Sequence, residues 1–176
     1  MVTPSAFASG DDLDAMVKSV QGQCTSPMKM DTERYTYSVE PSDASPRQVY
    51  AVVAVFCDLA AYNAANVWII GDTYGEISIL AFPEPTFDVD YEDENADLQV
   101  VKSVNITGYS AVTRLSNSDF DPKTGVFSSY HKWRGMGDAA SGGTWKLVNG
   151  QAQLVDYFVD ASFDGEINPQ TIVSFK

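Results

Sequence analysis

VYAVVAVFCDLAAYNAANVWIIGDTYGEISILAF, residues 49–82, is the stretch whose reading decides the fold. Its β-branched and aromatic residues, bounded by turn formers, read as buried strands. Val49 to Cys57 is apolar at successive positions, which predicts a central strand covered on both faces. Val67 to Ile70 and Ile77 to Phe82 flank Gly71-Asp72-Thr73-Tyr74-Gly75, a hairpin signal with glycine available for positive φ. Between them, Asp58 to Asn66 supports two readings: Leu59 and the alanines suit a short helical turn, Asn63 and Asn66 a loop. Pro83 and Pro85 are expected to stop the second strand.

On the N-terminal side, Ser9 to Gly22 predicts a helix. Leu13, Met16, Val17 and Val20 fall at i, i+3, i+4 and i+7 and form one apolar face. Asp11, Asp12 and Asp14 suit the helix start, Ser9 and Asp12 have capping-box spacing, and Gly22 fits the stop. Tyr35 to Val39 alternates as a short strand, closed by Pro41 and Pro46. On the C-terminal side, FDVDYEDENAD (87–97) is expected to be an exposed acidic loop, followed by a strand from Leu98 to Ile106. Phe120 to Val126 contains Asp121-Pro122-Lys123-Thr124-Gly125, a turn between strand edges. Asn149-Gly150 joins Trp145–Val148 to Gln151–Phe158 as a tight hairpin, and Thr171 to Phe175 is a last strand. The expected class is therefore mainly β, within a wider α+β possibility. It is an antiparallel meander of hairpins with one N-terminal helix, and its closure as barrel, sandwich or propeller-like array stays open.

The length of 176 residues suits one domain, read as 10–176. Residues 1–9 (MVTPSAFAS) read either as a disordered start or as the remnant of a secretory signal, because Ala6-Phe7-Ala8 has a small-x-small pattern. Aromatics at 12% favour β-structure over disorder. A net charge of −13 makes nucleic acid and anionic lipid poor partners and draws cationic proteins or small molecules. No stretch approaches the roughly 18 apolar residues of a membrane span. Cys24 and Cys57 form no C-x-x-C pair; they read as a disulfide in an exported protein or as buried thiols in a cytosolic one. As a disulfide they would contribute about 3–4 kcal/mol in the chain-entropy model.

Three segments together resemble a known family. They are Cys57-Asp58-Leu59-Ala60-Ala61-Tyr62-Asn63, Phe120-Asp121-Pro122-Lys123-Thr124-Gly125, and Arg134-Gly135-Met136-Gly137-Asp138 followed by Trp145. In order and spacing they resemble the bacterial exported proteins grouped as domain of unknown function 1176, over residues 13–165 and the C-terminal part of longer members. Members carry a cysteine directly after the Arg-Gly-x-Gly-Asp motif and another near the C-terminus. This chain has Ala139 at the first place and no counterpart within Ala161 to Asp164. Both are missing together, as expected if they normally bond to each other. The resemblance implies a periplasmic or secreted protein and lends no activity.

The candidate chemistry is sparse. His131 is the only histidine, which excludes a histidine-based metal cluster, and no G-x-S-x-G occurs. A Ser-His or Cys-His site would need His131 beside a serine or Cys57 in space. Asp88, Asp90 and Glu92 alternate as in calcium loops, but Asp93 stands where an EF-hand needs Gly and Gln99 where it needs Glu. Asp88, Asp90, Asp119 and Asp121 remain candidates for an irregular calcium site; no other cofactor is implied. Tyr62, Asn63, Arg134 and Asp138 are binding candidates, each with an alternative role in turn structure. Asn105-Ile106-Thr107 is a sequon with no expected use in a bacterial protein. These features favour a non-enzymatic binding module, one form of which binds a cationic protein such as lysozyme. The competing expectations are a carboxylate-based hydrolase of envelope glycans, with its pair drawn from Asp88–Asp97 or from Asp119 and Asp121, and a purely structural envelope protein.

Overall fold

The computed structural model describes residues 10–25, 32–41, 46–92 and 100–175. Among these, strand accounts for 58% and helix for 8%. The helix, α1 (Gly10–Gln21), is followed by β1 (Glu33–Val39), β2 (Gln48–Leu59), β3 (Ala64–Gly71) and β4 (Ile77–Ile79). A long ribbon comes next, β5 (Phe82–Tyr91) with β6 (Val101–Val112), then β7 (Arg114–Ser116), β8 (Asp119–Asp121) and β9 (Val126–Ser128). The chain closes with β10 (His131–Lys132), β11 (Ala140–Val148), β12 (Gln151–Asp160) and β13 (Gln170–Ser174). The residues Ala6–Ser9, Asp93, Asp97, Leu98 and Gln99, on which several expectations rested, lie outside the described residues.

All pairings are antiparallel. One sheet runs β1-β2-β3-β4, with β7 sharing the β3 edge. A second runs β13-β12-β11-β9-β8, with β10 on β11, and β5 with β6 forms a separate two-stranded sheet. The neighbours in each order follow the chain, so the expected meander is present; it closes into no barrel. The first two sheets face each other across one core, and α1 covers the outer face of the first.

The side-chain alternation of β2 produces this layering. Val53, Val55 and Cys57 point to Leu13, Val17 and Val20 of α1. Tyr50, Val52 and Ala54 point into the core between the sheets. A strand buried on both sides must be apolar throughout, as read from Val49–Cys57. The Cys24–Cys57 disulfide fastens the end of α1 to β2.

Aromatic rings fill the space between the sheets. Phe127 lies edge-on to Trp68 at 5.1 Å and to Phe82 at 5.2 Å; Phe82 continues to Trp145 at 5.5 Å, and Trp145 to Tyr157 at 6.4 Å. Each such pair adds about 0.5–1.5 kcal/mol beyond the area it buries. The row leads from the first sheet to β12.

Two local expectations are corrected. Asp58–Asn66 forms no helical turn: β2 runs on to Leu59, and an Ala60 N–H to Asn63 carbonyl bond of 2.9 Å closes a tight turn into β3. Pro83 and Pro85 do not stop a strand but sit inside β5, and Phe87 to Tyr91 extends that strand where an acidic loop was expected. Among the described residues, backbone pairing of β5 runs only to β6, so a proline whose missing N–H faces the unpaired side costs no ladder bond. Asn149-Gly150 makes the expected turn, with φ of 50° and 77°. Both residues are in the left-handed region that a two-residue hairpin of this kind demands.

Candidate functional site

Two of the three segments that carry the family resemblance meet in space. The Asn63 amide bonds the backbone of Lys132 in both directions, donating to its carbonyl and accepting from its N–H at 2.9 Å each. Asn117 adds a bond to Asn63 Oδ1 at 2.8 Å and another to the Tyr130 carbonyl at 2.8 Å. Asn63 and Asn117 therefore stitch β3 to the segment around β10, joining the two sheets. The exposed ring of Tyr62 lies against Gly135, leaving no room there for a Cβ.

Asp138 is buried and clamped. Arg134 grips it with two donors, Nε at 2.6 Å and Nη2, and the Gly165 N–H adds a third bond at 2.9 Å. Arg134, and next the Gly165 amide, hold the Asp138 carboxyl well below the usual carboxylate range. The other face of the guanidinium lies 5.2 Å from the Phe163 ring. Arg134 and Asp138 thus pair across their turn and anchor the 161–168 loop. Ala139 and Ala161 are both buried and flank the Ala140–Asp160 register pair.

The four acidic candidates are spread over two places. Asp88 and Asp90 lie on β5, where Asp90 Oδ2 accepts from Ser103 Oγ at 2.9 Å and Asn105 Nδ2 at 3.0 Å. Asp119 and Asp121 flank the β8–β9 turn; Asp119 accepts from the Phe120 N–H, and Asp121 from the Lys123 N–H and Thr124 hydroxyl. Among the described residues, no three of His, Cys, Asp and Glu gather as a metal-ligand set.

A polar cavity of about 280 Å³ opens between the two sheets, and none of the eight candidates lines it. Its inner wall is Tyr157 of β12 and Ser141 of β11, with Ser129 beside them and Glu84 of β5 facing Tyr157. Ser116 and Arg114 of β7 and His131 of β10 line the rest. Glu84 is positioned by the core. The Trp145 indole N–H donates to the Pro83 carbonyl at 2.8 Å, and Phe82 packs on the same indole. The Tyr157 ring is placed by Gly143 opposite it, where a Cβ would lie 2.8 Å from that ring. At Gly142 a Cβ would meet the Ser129 carbonyl at 2.1 Å, so that loop can approach the strand only there.

The electrostatics of the cavity are asymmetric. Burial pushes the Glu84 carboxyl up to about 7. Burial, with the nearby Glu84 second, pushes the Tyr157 phenol up to about 12, so it stays a neutral hydroxyl. Arg114 is committed to Asp58 at 2.8 Å. The Thr25 hydroxyl and N–H, and then Arg114, hold Asp58 below its ordinary value. His131 Nδ1 lies 3.0 Å from Ser116 Oγ at the exposed rim.

Two further cavities each carry two carboxylates. Asp160 and Asp164 line one of about 410 Å³ beside Val101 and Val104, and Asp72 and Glu76 line one of about 320 Å³ near the β3–β4 turn. In each, one carboxylate serves the loop. Asp160 accepts from the Ser162 hydroxyl at 2.8 Å and the Asn168 N–H at 2.7 Å. Asp72 accepts from the Tyr74 and Glu76 N–H groups at 2.8 and 2.9 Å.

Sequence reading passed over Glu84, Tyr157 and the three serines, because β5, β7, β10, β11 and β12 contribute to the cavity from separated parts of the chain. The local signals were Pro83-Glu84-Pro85, a carboxylate between two prolines, and Gly142-Gly143 inside a strand. No protein-family model, no curated protein and no solved structure matches the chain.

Proposed function

We propose that this chain is a non-enzymatic binding module, exported to the periplasm or beyond, that takes a cationic protein such as lysozyme. The observation that carries the reading is the cavity between the sheets, which offers hydroxyls and, among the described residues, one carboxyl with no second carboxylate in the lining. Recognition needs such a set; two-carboxylate glycoside cleavage needs a second carboxyl about 5–9.5 Å away. The net charge of −13 supports a basic partner through faster, salt-sensitive encounter. The export compartment is supported by the Cys24–Cys57 bond and by the family resemblance. Mixing the protein with lysozyme at low and moderate salt tests the reading. Lytic activity should fall, more so at low salt; unchanged activity at both would remove lysozyme as the partner.

A hydrolase is the second reading, and the contact between Ser116 and His131 favours it. Among the described residues no carboxylate orients that imidazole, so the dyad lacks the third member that usually sets the tautomer. A fluorophosphonate probe decides: labelling of Ser116 that is lost in His131→Asn would establish nucleophilic chemistry. A glycan hydrolase would instead draw its carboxylate pair from Asp160 with Asp164 or Asp72 with Glu76, whose structural bonds argue against it.

A further inference from the structure

We infer that the cavity between the sheets is the seat of one ammonium or guanidinium group, held on the Glu84 carboxyl. The inference rests on the reading above and deepens it by naming where a basic side chain of the partner enters.

Among the described residues Glu84 is the one carboxyl in the cavity lining, and no donor bonds its oxygens. Its raised pKa has burial as its cause, with no cation or donor offsetting it. The cavity's own guanidinium, Arg114, is turned to Asp58 instead. A carboxylate carried into a cavity without a counter-ion is costly, and a ligand that supplies the counter-ion removes the cost. The surrounding oxygens suit the same guest. An ammonium has three donors and no acceptor; the Ser129 hydroxyl offers an acceptor beside the carboxylate, and Ser141, which already accepts from the Trp133 indole N–H at 3.2 Å and bonds Tyr157, keeps a lone pair for the guest. A volume of about 280 Å³ holds the end of a lysine or arginine side chain and lies below the usual range for drug-sized ligands.

Seating a cation requires the ionised carboxylate, so binding below neutrality should release a proton from Glu84. The groups facing Glu84 from the elements around it are Tyr157, Arg114 and His131. Burial keeps Tyr157 a neutral hydroxyl near neutrality. The variant His131→Asn removes the imidazole from the cavity and isolates the Glu84 contribution.

The source of the cation can be a protein side chain or a free small amine, and the experiment separates them. Calorimetric titrations use wild type, Glu84→Gln, and Glu40→Gln as a control that removes the same charge from the exposed surface. Lysozyme, agmatine and n-butylamine are the probes, with a chitin oligosaccharide as the neutral comparison. We expect lysozyme affinity to drop about tenfold or more in Glu84→Gln and less than twofold in Glu40→Gln. We also expect wild-type affinity to rise with pH through neutrality, in the His131→Asn background too. If Glu84→Gln binds lysozyme like wild type, the inference is overturned while the binding reading survives. If wild type ignores lysozyme but takes the amines in a Glu84-dependent way, the cation seat stands and lysozyme is dismissed. Binding of neither lysozyme nor amines, or Glu84-dependent binding of the neutral sugar alone, contradicts the inference.

Discussion

Glu84 sits between two prolines in a strand whose backbone pairs on one side only, and its environment makes it a titrating group in the neutral range. The folded carboxyl ionises near 7 and the unfolded one near its ordinary 4.5. Between those values the folded state binds more protons, so stability declines as pH rises from about 4.5 to about 7 and is flat beyond. The contribution is on the order of 3 kcal/mol at most. Urea unfolding of wild type and Glu84→Gln at pH 5 and pH 8 checks this. The variant should lose the decline and gain relative to wild type at pH 8; parallel profiles would count against a desolvated, half-buried carboxyl. Asp138 works in the opposite direction and in a lower window. Its stabilisation is present above its ordinary value near 4 and disappears as pH falls, so it does not mask the Glu84 effect. Asn63 is a different kind of residue. Its amide saturates the Lys132 backbone, and Asn63→Ala should cost about 2–3 kcal/mol in urea by orphaning those groups. Its place in a turn was legible from sequence, but its three bonds to residues 117 and 132 were not, because those partners are more than fifty positions away.

β2 and β11 show what the sequence discloses about elements and where it stops. The unbroken, valine-rich apolar run of β2 announced a strand buried on both sides, its β-branched content arguing against a buried helix. β11 gave a weaker signal: Gly142 and Gly143 weaken strand propensity, and the reading placed the strand only from Trp145. The glycines are there because the Ser129 backbone and the Tyr157 ring come too close for side chains. Gly142→Ala should therefore destabilise by about 3 kcal/mol or more, read as a shift in the urea midpoint, although alanine is the smallest possible change. The end of the β11–β12 ladder supports another test. Ala139→Cys with Ala161→Cys should form a second disulfide under oxidising conditions, as non-reducing peptide mapping would reveal; two persistent free thiols would weaken the resemblance to the exported family. Reducing Cys24–Cys57 should cost about 3–4 kcal/mol, because it releases a loop of 33 residues that includes the attachment of α1.

Taken as a whole, the described molecule is two facing sheets under one helix with a two-stranded ribbon beside them, joined by a row of aromatic rings that ends at the wall of a polar cavity. Class, helix, meander and most hairpins were readable, since each follows from short-range periodicity and turn chemistry. The closure was not, because it depends on which faces of distant strands meet. The cavity follows from that closure and shares its illegibility. On the proposed reading, the excess of acidic charge acts on a cationic partner at long range and Glu84, unpaired among the described residues, acts at contact. Titrating lysozyme into the protein at increasing salt is the direct check on this account. Affinity should fall steeply as salt rises for wild type and start at least about tenfold lower for Glu84→Gln. Salt-independent binding, or equal affinities for the two proteins, would contradict it.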